Sequence, residues 1–217
     1  MTSTFHTAPD LDPVHFEVAG LRCTKISVGT MDNNAYLLDA GSGPLVLIDA
    51  PTSSRRLLEL IGQRTLGAVI TTHRHADHVQ ALAQVCQATG ARAYAGAPDA
   101  DSIAEQTGVV SQPLWTGDQV SCGDISLDVI GLVGHTPGSI ALVLKGQPTH
   151  IFTGDSLFPG GPGRTTNQTE FTSLMDDLAA QVFDVFADAT VIHPGHGDST
   201  SLGVERPQLA QWRARGW

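Results

Sequence analysis

Four short islands of metal-ligating residues each follow an apolar stretch, and this repeated order constrains the fold more than any other feature of the chain. The islands are His73-Arg74-His75-Ala76-Asp77-His78, Gly134-His135-Thr136-Pro137-Gly138-Ser139, Thr153-Gly154-Asp155-Ser156 and Pro194-Gly195-His196-Gly197. Ahead of the first runs Leu66-Gly67-Ala68-Val69-Ile70-Thr71-Thr72, apolar and rich in β-branched residues, which reads as a buried strand. After it, residues 77–89 place Val79, Leu82, Ala83, Val85 and Cys86 at helical spacing, and Gly90 stops the helix. The first histidines therefore occupy a strand-to-helix turn. Side chains two apart on such a backbone point the same way, so His73 and His75 can grip one ion, while Asp77 and His78 face a second. The plainer alternative is a group of surface histidines with Asp77 as a helix N-cap. Four metal-capable side chains within six residues argue against it.

The later islands repeat the arrangement. Residues 125–133, 139–145, 149–152 and 189–192 read as strands, and His135, Asp155 and His196 fall just past the ends of three of them. Ligands placed beyond strand ends are what a site at one rim of a sheet needs. Neutral imidazole and carboxylate are the ligands preferred by borderline metals such as zinc. Five histidines and two aspartates can close two such sites only if one carboxylate is shared.

The order and spacing of these islands resemble those of the metallo-β-lactamase fold family, and within it the glyoxalase II-like thioester hydrolases. The resemblance runs from about Gly29 to the C-terminus. It implies an α/β fold built as a four-layer αββα sandwich. It also implies that His73, His75 and His135 bind a first metal, that Asp77, His78 and His196 bind a second, and that Asp155 bridges them. Two divalent ions per chain are expected, zinc with iron or manganese as alternatives. The catalytic groups implied are Asp77, His78 and Asp155, and the reaction is hydrolysis of an S-2-hydroxyacyl-thiol by a hydroxide shared between the metals. The same islands also look like a second β-lactamase subclass in which that aspartate does not bridge. The alternative activities are a mononuclear-iron persulfide dioxygenase and a β-lactamase or lactonase-type hydrolase. Full-length glyoxalase II enzymes carry a further helical domain that helps bind glutathione, whereas only about twenty residues follow His196 here.

Two segments are candidates for substrate contacts. Residues 158–166 (FPGGPGRTT) form a glycine- and proline-rich loop directly after Asp155, from which Arg164 can reach a carboxylate; a plain surface loop is the alternative. Met31-Asp32-Asn33-Asn34 reads as a hairpin turn near the site, with Asn34 as a substrate contact. Ser139 and Ser156 read as hydrogen-bond partners behind the ligands. Arg55 and Arg56 read as a solvated helix face.

The 217 residues suit one domain, with residues 1–13 as a flexible polar lead-in and 14–217 as the hydrolase domain. The N-terminus has neither a basic start nor an apolar core, so a signal peptide is not expected. No apolar run has the length of a membrane-spanning helix. Three isolated cysteines fit neither a disulfide framework nor a thiolate metal site, which points to a reducing cytoplasm. A formal net charge of −10 argues against nucleic-acid binding, which needs clustered Lys and Arg. The expected partner is a small acyl-thiol substrate, with no membrane and a homodimer left open. Helices are expected over 54–64, 97–106 and 169–186, the last with Phe171, Leu174, Leu178 and Val182 on one face.

Overall fold

The computed structural model describes residues 5–216. The first half runs β1 (Val14–Val18), β2 (Leu21–Val28), β3 (Asn33–Asp39), β4 (Leu45–Ile48), α1 (Ser54–Ile61), β5 (Leu66–Thr71), α2 (Ala76–Val79), α3 (Leu82–Thr89), β6 (Arg92–Gly96), α4 (Ala97–Thr107) and β7 (Gln112–Leu114). The second half runs β8 (Gln119–Cys122), β9 (Ile125–Gly131), β10 (Ile140–Leu144), β11 (His150–Gly154), β12 (Leu157–Phe158), β13 (Gly161–Pro162), α5 (Gln168–Asp177), β14 (Val191–Pro194), β15 (Thr200–Ser201), α6 (Leu202–Glu205) and α7 (Leu209–Arg215). Strands β1 to β7 form one sheet in sequence order, and the second sheet has the order β15-β14-β11-β10-β9-β8.

Period-two alternation sorts the strand residues into layers. In β4, Val46 and Ile48 face the second sheet, while Leu45 and Leu47 face the helices outside. In β10, Ile140, Leu142 and Leu144 face inward, and Ala141 and Val143 face α5. Three separate apolar clusters result: one between the sheets, one under α1 and α3, and one under α5 and α7. Three filled interfaces define four layers, the αββα sandwich. Each fully buried Leu or Ile contributes about 1.5–3 kcal/mol, so the sheets are held together chiefly by apolar burial. Among the described residues no helix is long and apolar enough to cross a membrane.

Some expected elements divide. The stretch from residue 14 to 28 is a hairpin, turned by Ala19 and Gly20, both at positive φ as a tight two-residue turn requires. The helix following the first island is interrupted between Val79 and Leu82. The helix expected over 169–186 is capped by Asn167, which accepts the Glu170 N–H at 2.9 Å, and passes into a π-helical segment at Leu178–Phe183. Its stripe stays buried throughout. From Phe5 onward the stretch expected as a lead-in makes defined contacts; its first four residues lie outside the described ones. Arg56 is not a solvated side chain. It donates to the carbonyls of Pro9, Leu11 and Ser27, because the N-terminal segment returns over the start of α1.

Candidate metal centre

All four islands meet at one rim of the sandwich, where the strand ends of both sheets converge. His73, His75, Asp77 and His78 follow β5 of the first sheet. His135 follows β9, Asp155 follows β11 and His196 follows β14 of the second. Backbone hydrogen bonds close the seam between the sheets: Ile140 N–H donates to the Thr72 carbonyl at 2.9 Å, and Asn34 N–H to the Gly195 carbonyl at 2.7 Å. The close approach requires glycine at Gly195. A Cβ there would collide with Asp155 Oδ1 and the His78 ring.

Three overlapping groups of potential ligands result. One holds His73, His75 and His135; a second holds His73, His78 and Asp155; a third holds Asp77, His78 and His196, each with its ligand atoms within 4.8 Å of one another. Asp155 sits among them. Its Oδ1 lies 3.4 Å from His78 Nε2, and its Oδ2 lies 3.3 Å from His196 Nε2, 3.6 Å from His135 Nε2 and 4.0 Å from His73 Nε2. His196 Nε2 is also 3.3 Å from Asp77 Oδ2. His73 Nε2, His135 Nε2 and Asp155 Oδ1 are buried and have no hydrogen-bond partner among the described residues. Buried polar atoms are seldom left so. Imidazole nitrogens and a carboxylate oxygen converging without partners fit a divalent cation.

The outward-facing ring nitrogens fix the tautomers. His135 Nδ1 lies 2.7 Å from the Arg164 carbonyl and His196 Nδ1 lies 2.8 Å from the Met31 carbonyl. A carbonyl only accepts, so each Nδ1 carries a proton and Nε2 is the atom each ring directs into the cluster. His78 Nδ1 donates to Asp49 Oδ2 at 2.9 Å. The Thr72 hydroxyl donates to the same oxygen at 2.8 Å, and His73 Nδ1 lies 3.1 Å from that hydroxyl. Asn33 Nδ2 donates to Asp77 Oδ2 at 2.9 Å. Asp99, fully buried at the start of α4, accepts from Thr136 Oγ1 at 2.6 Å, Gly138 N–H at 3.0 Å and Arg74 N–H at 3.0 Å. It thereby clamps the His135 loop to the first island.

Charge divides the cluster. Burial, reinforced by His78, His135 and the other imidazoles, drives His73 well below its usual value. His75 is lowered by burial and by His135. Burial also opposes charge on His196, but the hydrogen bond to Asp155 and that carboxylate's charge outweigh it and raise the ring to about 9. His78 is raised in the same way, burial being outweighed by Asp49 and Asp155. For Asp155, burial raises the carboxyl, but the His196 hydrogen bond and the charges of His78, His196 and His135 bring it below the ordinary value. Burial thus keeps charge off His73 and His75, while the carboxylates beside His78 and His196 draw positive charge onto those rings.

The two substrate-contact candidates fare differently. Arg164 lines a cavity of about 400 Å³ beside the centre, together with Gly163, Thr166, Phe171 and Arg215. Its peptide is the one whose carbonyl orients His135. Neither Arg164 nor Arg215 has a carboxylate within ion-pairing distance among the described residues, as the paired Arg64, Arg206 and Arg213 do. Asn34 is corrected: it is fully buried and donates its amide to the carbonyls of Pro194 at 3.0 Å and Gly197 at 2.9 Å. It points inward because it pairs with Ser27 in the hairpin, on the face directed at the second sheet. It holds the His196 loop from within the core rather than lining an exposed surface. Ser139 binds Thr136 within its own loop, at 2.7 Å between hydroxyls. Ser156 Oγ is buried with no hydrogen-bond partner among the described residues.

Asp49, Asp99 and Arg215 were not singled out from the sequence. A lone aspartate ending the apolar run Leu45-Val46-Leu47-Ile48 was the available signal for Asp49, since a carboxylate at the end of a buried strand needs donors.

The fold and the cluster together define a class. Residues 28–200 match the model of the metallo-β-lactamase superfamily, and the chain belongs to that family. Family membership implies divalent metal ions, consistent with the His/Asp groups. Among relatives, the chain is 38% identical to a hydroxyacylglutathione hydrolase of Fuscovulum blasticum over 76% of its own length and 62% of that protein's. It thus spans about three fifths of the length of that relative. Among solved structures, it is 30% identical to TTHA1623 in a di-iron-bound form, with a TM-score of 0.67 over 84% of this chain and 96% of that one. It is 28% identical to ETHE1 from Myxococcus xanthus, with a TM-score of 0.74 over 88% and 84% of the two chains.

Proposed function

We propose that this chain is a binuclear metallohydrolase that cleaves the thioester of a 2-hydroxy acid and a carboxylate-bearing thiol, in the manner of glyoxalase II. The observation that carries the reading is the position of Asp155, whose two oxygens face His78 on one side and His135, His73 and His196 on the other. The name of the Fuscovulum blasticum relative supports the substrate class. His73, His75 and His135 would hold one ion, Asp77, His78 and His196 the other, and Asp155 both. Ions held there supply Lewis acidity, which lowers the pKa of water from 15.7 toward about 7 and stabilises charge developing on an acyl oxygen. Zinc suits the nitrogen-rich set, and the di-iron form of one relative keeps iron beside it.

The chain's own residues supply the remainder. The Arg164 carbonyl, the Met31 carbonyl and Asp49 hold the Nδ1 proton of His135, His196 and His78 respectively, leaving Nε2 as the atom that would bind metal. Arg164 and Arg215, without an ion-pair partner among the described residues of a chain of net charge −10, make their cavity attractive to an anion. A carboxylate on the thiol fits there, on the His135 side of the centre. A thiolate departs without prior protonation, so the absence of a dedicated acid beside the cavity is no obstacle. The test is metal analysis followed by parallel assay of S-lactoylglutathione, other acyl-thiols, β-lactams, lactones and glutathione persulfide. Two equivalents of metal with thioesters as the best substrates is the expected result. Preferred β-lactam cleavage, or oxygen consumption with persulfide and one equivalent of iron, overturns it.

A further inference from the structure

Lys25 stands where an apolar residue belongs. In β2 the inward positions alternate as Cys23, Lys25 and Ser27, and Lys25 pairs directly with Tyr36 of β3, whose ring lies in the core between the sheets. The side chain is fully buried. Among the described residues its ammonium has no carboxylate in contact, and it donates instead to two carbonyls, Gly197 O at 2.5 Å and Phe5 O at 3.1 Å. Burial lowers its pKa to about 8, against the more distant pull of Asp198 and Asp32, so it is charged at neutral pH.

The neighbours of Lys25 share its target. Tyr36 Oη donates to the Pro194 carbonyl at 2.6 Å, and Asn34 Nδ2 donates to the carbonyls of Pro194 and Gly197. Three inward side chains of one hairpin thus hold the peptide groups on either side of His196. The Gly197 carbonyl takes two of these donors, which fixes the Gly197–Asp198 peptide, one residue beyond His196. On its other partner Lys25 holds Phe5, whose ring packs against Phe16 and His193 at 4.8 and 5.4 Å. A buried ammonium balanced by carbonyls alone carries a desolvation cost that an apolar side chain at this position would avoid.

We propose that Lys25 is a positioning residue for His196: its ammonium ties the Gly197 carbonyl to the N-terminal segment and so sets the second half of the metal centre without touching metal or substrate. The proposal rests on the two-metal reading above. Two readouts test it on the full chain. In metal-free protein, nitrogen-15 NMR of the histidine rings reports the Nδ1 proton of His196 on the Met31 carbonyl, with that of His135 on Arg164 as internal control. Lys25→Met should expose the His196 proton to rapid exchange and leave His135 unchanged. In metal-loaded protein, chelator competition should show the second equivalent weakened about 10–100-fold, the range typical of groups behind a ligand, with the first equivalent unchanged. Lys25→Gln, which keeps an amide donor on a shorter stem, should fall between wild type and Lys25→Met, and it carries both readouts if the methionine variant does not fold. Wild-type exchange and affinity in either variant overturn the proposal. So does equal loss of both equivalents, which would make Lys25 a determinant of the fold as a whole. A wild-type chain binding one equivalent would refute the two-metal reading alone, since the NMR comparison still decides the role of Lys25.

Discussion

Asp49 Oδ2 accepts the Nδ1 proton of His78 at 2.9 Å, and through the Thr72 hydroxyl the same oxygen also reaches His73. One carboxylate therefore orients a ligand in each half of the centre, and Asp49 holds a left-handed backbone, φ 60°, in doing so. Asp49→Ala should weaken both equivalents of metal together, by about 10–100-fold each. Competition with a chelator of known affinity checks this. Loss confined to one equivalent would show that the Thr72 relay carries nothing.

Asp155→Ala should remove more metal and more activity than Ser156→Ala, since the Asp155 oxygens lie within 4.0 Å of His73, His78, His135 and His196 while Ser156 Oγ has no hydrogen-bond partner among the described residues. For Ser156→Ala the change in stability should stay within about 1 kcal/mol, no hydrogen bond being lost. Elemental analysis and turnover of the two variants decide it. Retention of both metals by Asp155→Ala would end the bridging role.

Arg164→Ala and Arg215→Ala should each raise KM about tenfold for an acyl-thiol bearing a carboxylate, because a charge-assisted hydrogen bond is worth about 1.5–3 kcal/mol and both side chains are exposed. kcat should hold for both, since the contact of Arg164 with His135 is made by its backbone. Steady-state kinetics with a thiol lacking the carboxylate is the control, and there neither variant should differ from wild type. Unchanged KM with the carboxylated substrate would detach the cavity from the reaction.

The convergence of the four islands was legible because metal-binding chemistry is carried by side-chain identity, and because strand ends can be located from apolar runs. The layers were legible for the same reason: alternation in β4 and β10 is local. What surrounds the ligands was not. Asp49 acts on residues 23 and 29 positions away, and Asp99 on residues up to 39 away, so no local pattern marks them. Asn34 was misplaced because a turn-like tetrapeptide does not reveal which face of the following strand its last residue takes. Arg215 joins Arg164 only through the return of α7, and Lys25 lies in a strand whose charge suggests exposure until its register is known.

A second histidine pair makes the fold acid-sensitive. His150 Nδ1 and His193 Nε2 are 2.8 Å apart between the sheets, with Phe16 and Phe152 stacked on them. Burial lowers His150 to about 4, and burial with the nearby His150 and Lys25 lowers His193 well below 6.5. A folded pKa below the unfolded one gives stability that is complete above about pH 6.5 and is lost as pH falls toward 4. For His150 this amounts to about 3 kcal/mol. Denaturant titrations between pH 7 and 4 should show the loss, and His150→Phe should reduce its slope. A flat profile would contradict it.

In the metal-free chain His196 has the opposite sign. Its folded pKa, about 9, lies above the unfolded value, so it stabilises fully below about pH 6.5 and ceases to do so as pH rises through 9. The melting temperature of chelator-treated protein should fall across that window, and less so in His196→Gln. Metal must displace the same proton, so affinity at that half should rise with pH. Calorimetry in buffers of different ionisation enthalpy counts the released proton. A melting temperature independent of pH would count against the Asp155–His196 pairing.

The ligands join points as far as 123 residues apart (196 − 73), in two sheets. In a disordered chain, bringing such points together would have to come from the ion. Here the rim is already laced by Ile140 to Thr72 and by Asn34 to Gly195. These hydrogen bonds tie the loops that carry the cage to one another through the chain itself. Replacement of one ion by another is therefore an event of the rim alone, open to the folded chain, and its occupant follows what the surroundings offer as much as what the cage prefers.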